Sequence, residues 1–346
     1  MKAMVYTEYG SPDVLRCQEV AKPMPRAHEA LVKVRAAAAN PLDCGELHGL
    51  PYLARAIFGI HAPTAEQPNR LGVDFSGDVE ATGVDVTQCK PGDTVFGLCL
   101  RDPRATGVKA WFHDQGAFSE YLCVDESGLA LKPDEVTFEQ AAAAPVAGLT
   151  ALQGLRDKGR IQTGQKVLIN GAAGGVGTFA VQIAKSFGAK VTGVCGTQAA
   201  EMVRGLGADE VIDYTQADFT SQNLARLDQP YDLIFDCIAN HPLSACRRVL
   251  TRDGTYIAAG DKSGRSGLSM IFRLMTFAAL KPISRQKLIP FLAQPRQRDL
   301  IELKDLMQSG KVKPVIDRCY ALDEASDGIR YLQNGHAHGK VVIRVA

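Results

Sequence analysis

The most constraining feature of this sequence is a glycine-rich segment that follows an apolar strand and opens a helix. Residues 166–183 read KVLINGAAGGVGTFAVQI, in which Ala172, Gly174 and Gly177 form the A-x-G-x-x-G variant of the dinucleotide-binding pattern. The middle glycine of this pattern lets the backbone approach a pyrophosphate, and the last glycine lets the helix pack against the strand. The helix N-terminus offers its N–H groups to the anion.

A structural turn is the alternative interpretation of this segment, because the chain has 33 glycines. The strand before it, the helix after it and a further strand at the expected spacing favour a dinucleotide site. We therefore assign to the cofactor the residues Ala172, Gly174, Gly175, Val176 and Gly177.

Five apolar runs alternate with helical segments from residue 166 to residue 260. The runs are KVLIN, KVTGVC, EVIDY, DLIFDC and TYIAAG, and their helical partners are VGTFAVQIAKSFG, AAEMVRGLG, ADFTSQNLARL and PLSACRRVL. Apolar strands that alternate with short helices form parallel sheets covered on both faces. The pattern therefore predicts a doubly wound α/β domain.

The residues before about Thr137 show a different, β-rich pattern. Short apolar runs, among them AMVYT, EALVKVRAAA, DFSGDVEAT, DTVFGL and AFSEYLCV, are separated by Gly, Pro, Asn and Asp, which is typical of a partly open barrel or sandwich. The next segment, TFEQAAAAPVAGLTALQGL, is helical by its period, with interruptions expected at Pro145 and Gly148. The C-terminal segment returns to two short strands, PVIDRCYAL and KVVIRVA, around one helix, EASDGIRYLQNG.

This order predicts a discontinuous domain that holds an inserted nucleotide-binding domain. The length of 346 residues agrees with two domains at roughly 150 residues each. We assign residues 1–132 and 294–346 to the β-rich domain and residues 133–293 to the nucleotide-binding domain.

Charge and composition exclude several classes of partner. Lys plus Arg number 39 and Asp plus Glu number 38, so no overall field would attract nucleic acid or acidic lipid. The most apolar late stretch, LSMIFRLMTFAAL at 268–280, is too short to span a bilayer and contains Arg273. We expect a small-molecule substrate, no nucleic acid and no membrane span.

The nine cysteines are scattered, without a C-x-x-C pair, so neither a disulfide framework nor a zinc knuckle is expected. The N-terminal MKAMVYTEYG lacks the apolar run of a signal peptide. We expect a reducing cytoplasmic location, with an organelle matrix as the alternative if a presequence has been removed.

The end of the second apolar run favours NADPH over NADH. NAD-selective sites place Asp or Glu about twenty residues past the loop, where this chain has Cys195, Gly196 and Thr197. With no carboxylate there to repel a 2′-phosphate, we expect the Thr197 hydroxyl, the Arg204 guanidinium and Tyr214 to bind it. The alternative for Arg204 is a solvated helix residue.

Ordered motifs extend over nearly the whole chain: AAAANPLDCGELHG, LGVDFSGDVEATG, KPGDTVFG, GAFSEYLCV, PVAGLTALQGL, the glycine-rich segment, LGADEVIDY and GKVVIRV. On these motifs the chain resembles the medium-chain dehydrogenase/reductase superfamily, and within it the zinc-independent quinone oxidoreductase (zeta-crystallin-like) branch. The resemblance implies an α/β protein in which a GroES-like catalytic domain surrounds a Rossmann NADPH-binding domain. It also implies an active site between the domains and a homodimer formed through the edge of the nucleotide-domain sheet.

The chain departs from the zinc-dependent branch of that superfamily at both ligand motifs. Those enzymes carry a Cys ligand three residues before an Asp, where this chain has Asn40 before Asp43, and a Gly-His-Glu triplet, where it has Gly72-Val73-Asp74. An amide and a valine cannot supply the ligands that zinc needs, so no metal is expected. Three further candidate ligands follow no ligand spacing: Cys44, His48 and His61.

Without a Lewis acid, the resemblance implies hydride transfer from NADPH to a quinone or an α,β-unsaturated carbonyl. It places Asn40 at the nicotinamide, where its amide would orient substrate or cofactor; the alternative is a loop-stabilising role before Pro41. Some members carry a Tyr five residues later, where this chain has Gly45, so Tyr52 is the nearest candidate acid, with water or a cofactor ribose hydroxyl as alternatives. Lys340 of GKVVIRV is assigned to the cofactor.

Two other functions stay open at this point. One is an NADPH-binding protein with little catalysis that acts as a sensor or structural protein, which the missing Tyr motivates. The other is a zinc-type alcohol dehydrogenase, against which the absent ligands count.

Overall fold

A computed structural model describes residues 1–49, 62–100, 115–221, 230–260, 277, 284–335 and 337–345. Three features of the sequence lie outside the described residues: Tyr52, His61 and the apolar stretch 268–280 apart from Phe277. Of the expected helix ADFTSQNLARL, only residues 217–221 are described; none of them is helical, and residues 219–220 form a turn.

The described strands and helices follow the alternation of the sequence closely. The strands are β1 (Lys2–Tyr6), β2 (Arg16–Glu19), β3 (Glu29–Ala39), β4 (Asn69–Arg70), β5 (Asp74–Thr82), β6 (Thr94–Leu98), β7 (Tyr121–Asp125), β8 (Leu129–Leu131), β9 (Lys166–Asn170), β10 (Lys190–Cys195), β11 (Glu210–Asp213), β12 (Tyr231–Asp236), β13 (Leu250–Ala258), β14 (Lys287–Pro290), β15 (Ile316–Ala321) and β16 (Lys340–Arg344). The helices are α1 (Pro41–His48), α2 (Phe138–Ala142), α3 (Pro145–Gln153), α4 (Gly175–Ser186), α5 (Ala200–Gly205), α6 (Leu243–Arg248), α7 (Gln297–Gln308) and α8 (Ala325–Gln333).

The chain forms two compact units. The first unit comprises Met1–Leu149, Gln294–Gly310 and Pro314–Ala346, and the second comprises Thr150–Ala293 and Lys311–Lys313. Residues 133–149, which the sequence assigns to the nucleotide-binding domain, lie in the first unit, where the Ser76 hydroxyl donates to the carbonyl of Phe138 at 2.6 Å. The packing boundary therefore falls later in the chain than the predicted domain boundary.

In the part of the first unit that the structure describes, seven strands form a sheet in the order β15-β16-β3-β5-β6-β8, with β7 also paired to β3. A three-stranded sheet, β2-β1-β4, completes it. Its apolar core includes Met4, Val32, Phe75, Phe118 and Ile343, all buried. Since β16 comes from the C-terminus and pairs with β3, both ends of the chain contribute to one sheet.

Gly148 does not interrupt α3, which corrects one expectation. The chain breaks between α2 and α3 just before Pro145, but α3 continues through Gly148. A Cβ on Gly148 would lie 2.5 Å from Leu303 Cδ2, so the glycine serves close packing against α7. The predicted interruption at Pro145 is confirmed.

The described strands of the second unit form a six-stranded sheet in the order β11-β10-β9-β12-β13-β14, in which every pair is parallel. The chain runs outward from β9 to β11 and then returns to β12 on the other side of β9, so the strand order reverses between β9 and β12. Ligands of such sheets bind at the carboxyl ends of the strands beside this reversal. The predicted doubly wound sheet is confirmed, with β14 as a sixth strand that the sequence pattern did not predict.

No helix in the described parts of the chain is long and apolar enough to cross a membrane.

Candidate functional site

The glycine loop of the second unit joins β9 to α4. The N–H groups of Gly171 and Ala172 both donate to the carbonyl of Val194 on β10, at 3.1 and 2.9 Å, which ties the loop to the neighbouring strand. Gly174 is the N-cap of α4 in an extended conformation. The N–H groups of the first helical turn, which begins at Gly175, have no acceptor within the helix and face the end of the loop.

The two glycines of the pattern serve different purposes. A Cβ on Gly177 would lie 2.0 Å from the carbonyl oxygen of Gly171, so this glycine is required by packing of α4 on its own loop. Among the described residues, a Cβ on Gly174 would meet only that oxygen, at 3.6 Å, which is an ordinary contact. These residues leave space at Gly174, next to the N–H groups that have no acceptor within α4 and to the positive end of the α4 dipole. This cradle fits the pyrophosphate of a dinucleotide.

A carboxylate lies at the ribose end of this site, next to Thr197. The parallel register pairs Cys195 with Asp213 of β11, and the Thr197 hydroxyl donates to Asp213 Oδ2 at 2.5 Å. The backbone N–H and hydroxyl of Thr215 donate to the other carboxylate oxygen, at 2.9 and 2.7 Å. These hydrogen bonds, that of Thr197 foremost, hold the pKa of Asp213 below its usual value. The expectation that no carboxylate lies at this end is therefore wrong, because one comes from the neighbouring strand.

Tyr214 also lies at the carboxyl end of β10. The Tyr214 side chain is 63% exposed, and its hydroxyl lies 3.1 Å from where a Cβ of Gly196 would stand. Burial raises the pKa of Cys195, and the charge of Arg204, a residue of α5, opposes that shift. Thr197 and Tyr214 thus lie at the end of β10, whereas the contact of Arg204 with a cofactor stays a prediction.

A second carboxylate, Asp236, bridges the point where the strand order reverses. It is fully buried and accepts hydrogen bonds from Asn170 Nδ2 at 2.8 Å and from the Tyr256 hydroxyl at 2.6 Å. The N–H groups of Ile238 and Ala239 donate to it at 3.0 and 2.7 Å. This carboxylate fixes the turn after β12, in which Ala239 has a positive φ of 59°. Sequence reasoning missed Asp236, for which the only signal was its place at the end of an apolar run.

The first unit holds a buried polar cluster formed by Asn40, Asp74 and Lys340, with 2, 0 and 4% of their surfaces exposed. The Lys340 ammonium donates to Asn40 Oδ1 at 2.6 Å and to Asp74 Oδ2 at 3.1 Å. Asn40 Nδ2 donates to Asp74 Oδ2 at 3.0 Å and to the carbonyl of Ala38 at 3.2 Å. Antiparallel pairing of Val341 with Ala39 places Lys340 beside Asn40.

Asp74 and Asp43 anchor this cluster to the backbone. Asp74 Oδ1 accepts the N–H of Val146 at 2.9 Å, in the first turn of α3. Asp43 accepts the N–H of Asn40 at 2.6 Å and that of Gly72 at 3.1 Å, so it fixes the start of α1 and the approach to β5. Burial raises the pKa of Asp74, and Lys340, Asn40 and the Val146 N–H oppose that shift.

The cluster determines what Asn40 can offer to a ligand. Both protons of its amide nitrogen are used, by Asp74 and by Ala38, while its oxygen keeps a second lone pair beside the bond from Lys340. Asn40 is therefore an acceptor toward any ligand and has no amide proton left to donate. The ammonium of Lys340 is held by Asn40 and Asp74, so its contact with a cofactor stays a prediction.

Where the zinc-dependent branch has its cysteine zinc ligand, this chain has Asn40, which hydrogen bonds with Lys340 and Asp74. Asn40 contacts an ammonium group, and a resident cation of this kind opposes the binding of a second cation. Among the described residues, no group of three or more His, Cys, Asp and Glu side chains could hold a metal ion. His48 Nδ1 lies 2.6 Å from the backbone carbonyl of Cys44.

Comparison with known proteins shows similarity over both units. Residues 26–134 match the family described as alcohol dehydrogenase GroES-like domain, and residues 206–343 match the family described as zinc-binding dehydrogenase. The chain is 32% identical to the Bos taurus protein named NAD(P)H oxidoreductase RTN4IP1, mitochondrial, with 100% of this chain and 89% of the relative covered. It is 34% identical to 2-methylene-furan-3-one reductase of Solanum lycopersicum, with 99% of this chain and 79% of the relative covered.

Among solved structures, the quinone oxidoreductase from Coxiella burnetii superposes with a TM-score of 0.81 and 29% sequence identity. The match covers 100% of this chain and 99% of that one.

Proposed function

Because the chain belongs to the medium-chain dehydrogenase/reductase superfamily, in its quinone-oxidoreductase branch, we propose that it is an enzyme that uses NAD(P)H to reduce a quinone or an α,β-unsaturated carbonyl. The predicted family is confirmed, as is the predicted fold class of a GroES-like domain with a Rossmann domain.

The glycine loop is the observation that carries this proposal. Its open space at Gly174 and the unpaired N–H groups of α4 fit a pyrophosphate, and the switch point of the sheet lies beside it. The bound nicotinamide supplies the hydride. The tomato relative is named for an enone and the Coxiella burnetii neighbour for a quinone, and both kinds of acceptor are activated toward hydride without a metal.

We expect turnover with NADPH across a panel of naphthoquinones, enones and enals. The best acceptor should give a kcat on the order of 1–100 s⁻¹, measured by loss of the reduced nicotinamide absorbance. Cofactor consumption no faster than in the enzyme-free blank on every acceptor would overturn the proposal. Cofactor affinity without turnover would instead indicate a binding protein.

Asn40 is our proposed residue for orienting the cofactor or substrate, and Tyr52 our proposed acid. Since quinones and enones carry only acceptor oxygens, the remaining lone pair of Asn40 Oδ1 suits a donor, such as the carboxamide N–H of nicotinamide. Tyr52→Phe is expected to lower kcat for enones, where the enolate must be protonated, more than for quinones. An equal effect on both acceptor classes would remove Tyr52 from the acid role.

NADPH is our proposed cofactor. The support is that Tyr214 is exposed at the carboxyl end of β10 and that Arg204 belongs to α5, the helix that follows this strand. Arg204→Ala is expected to weaken NADPH binding about tenfold and to leave NADH binding unchanged, because a charge-assisted bond to phosphate is lost. Fluorescence titration measures both constants, and Arg248→Ala, at the exposed end of α6, is the matched control. An unchanged cofactor preference would remove Arg204 from the phosphate site.

We also propose that the reaction needs no zinc. The support is the Lys340 ammonium, which binds the amide that replaces the cysteine ligand. Elemental analysis of the purified protein is expected to find zinc far below one atom per chain, and prolonged treatment with a chelator should leave kcat unchanged. Stoichiometric zinc that is lost together with activity would contradict this.

A homodimer and a cytoplasmic location complete the proposal. Among the described strands, β14 lies at the edge of its sheet, and an edge strand offers backbone groups to a second copy. Light scattering is expected to give twice the chain mass of 37.2 kDa. All nine cysteines lie among the described residues and none forms a disulfide bond, which suits a reducing compartment. Fractionation of cells tests the location, since the bovine relative is named as mitochondrial.

A further inference from the structure

We propose that Asp213 is a cofactor-specificity residue whose carboxylate disfavours the 2′-phosphate of NADPH and favours the 2′-hydroxyl of NADH. This inference rests on the proposed use of a nicotinamide dinucleotide. It predicts two opposing determinants: the proposed Arg204 and Tyr214 favour the phosphate, and Asp213 opposes it. We therefore expect the enzyme to use both cofactors.

The position of Asp213 follows from the register of two parallel strands. In dinucleotide-binding sheets the adenosine ribose lies at the end of the second strand, and an acidic residue there holds its 2′-hydroxyl. Here the second strand, β10, ends at Cys195 without an acidic residue, but its register partner on β11 is Asp213. The carboxylate reaches the same end of the sheet from the adjacent strand.

The direction of the hydrogen bond between Thr197 and Asp213 determines which 2′-group the Thr197 hydroxyl can bind. The Thr197 hydroxyl has one proton, and it donates that proton to Asp213 Oδ2. The remaining lone pairs of the hydroxyl accept, so they suit a 2′-hydroxyl group, which donates. A 2′-phosphate carries mainly acceptor oxygens at neutral pH, so Thr197 would have to break its bond to Asp213 in order to bind it.

The carboxylate is held in place by more than a local turn. Thr215 supplies two donors to Oδ1, which closes the turn after β11. Oδ2, in contrast, accepts from Thr197 across the strand pair and from Gln216 Nε2 at 3.1 Å. These donors fix the carboxylate charge at the ribose end of the site, where it acts on the 2′-hydroxyl of NADH or the 2′-phosphate of NADPH.

Binding of nucleotide fragments tests this without hydride transfer. Adenosine 2′,5′-bisphosphate and adenosine 5′-monophosphate differ by the 2′-phosphate alone, so dissociation constants measured by calorimetry isolate its contribution. In Asp213→Asn the bisphosphate and NADPH are expected to bind about tenfold more tightly, because one like charge near the phosphate is removed. The monophosphate and NADH should bind equally well or more weakly.

Asp209→Asn is the matched control, since it removes the same charge at the opposite end of β11. Asp209 pairs with Lys185 and accepts the N–H of Val191. We expect it to change the bisphosphate affinity by less than about twofold, because solvent screens charges across that distance. Equal gains in both variants, or no gain in Asp213→Asn, would overturn the proposal.

Thr197→Val provides a second test if Asp213→Asn does not fold. Loss of the hydroxyl is expected to weaken NADH and leave the bisphosphate affinity unchanged, since the hydroxyl proton already belongs to Asp213. A selective loss of bisphosphate affinity would show instead that Thr197 donates to the phosphate, and would overturn the inference. Because the fragments carry no nicotinamide, these results hold whether or not the protein reduces quinones.

Discussion

Replacing Lys340 by methionine is expected to lower the free energy of unfolding by about 3–5 kcal/mol, because the variant leaves Asp74 buried without its cation. Asp74 is fully buried and Lys340 is 4% exposed, so little water can replace the ammonium. Urea unfolding measures the loss. Lys185→Met is the matched control: Lys185 forms a half-exposed pair with Asp209, and its loss is expected to cost ~0–1 kcal/mol.

The loss in free energy of unfolding caused by Lys340→Met should grow as pH rises. Burial raises the pKa of Asp74 and the ammonium partly opposes this, so the variant raises the pKa further. A carboxyl group whose pKa is raised in the folded state makes the folded protein less stable as pH rises through that pKa. The deficit relative to the wild type is therefore expected to be larger at about pH 8 than at about pH 5. A deficit independent of pH would contradict the burial of an unpaired charge.

The double variant Lys340→Met with Asp74→Asn separates the ion pair from ordinary packing. Removing both charges leaves no unpaired ion, so the double variant should be more stable than Lys340→Met alone. Asp74→Asn alone completes the cycle: if the losses of stability in the two single variants simply add in the double variant, Lys340 and Asp74 do not interact as an ion pair.

Regular alternation of apolar runs was enough to predict most of the fold. The runs KVLIN, KVTGVC, EVIDY, DLIFDC and TYIAAG all lie in strands of the parallel sheet, because strands buried on both faces are apolar throughout. The sixth strand, β14, is four residues long, ends in Pro290 and lies at the sheet edge, where such a pattern is absent. Gly148 was misjudged because its packing partner, Leu303, is remote in sequence.

The polar contacts of the two sites could not be predicted from local pattern. Lys340 and Asp74 are 266 residues apart, and only the pairing of β16 and β5 with β3 brings them together. Asp213 reaches Thr197 through the register of β10 and β11. The motif positions Asn40 and Gly174 were found because their spacing is local, whereas the partners that decide their chemistry are set by strand pairing.

Gly177→Ala is expected to lose stability and Gly174→Ala is expected to lose cofactor affinity, although both glycines belong to one pattern. A Cβ at Gly177 would lie 2.0 Å from the carbonyl oxygen of Gly171, so the loop or α4 must move, at a cost of about 3 kcal/mol or more. Thermal unfolding measures this loss. Whatever cofactor affinity the variant shows, the loss of stability is the primary effect.

Gly174 has φ of −77° and ψ of 173°, which alanine adopts freely, and its Cβ would meet only one atom, at 3.6 Å. Gly174→Ala should therefore unfold at the wild-type temperature. Its methyl group would stand where the pyrophosphate must approach, so NADPH and NADH are both expected to bind at least about tenfold more weakly. Since the methyl group blocks the phosphates shared by both cofactors, their ratio should stay constant, in contrast to Arg204→Ala and Asp213→Asn. Wild-type affinity in Gly174→Ala would mean that the dinucleotide does not approach this loop, which would remove the observation that carries the proposed function.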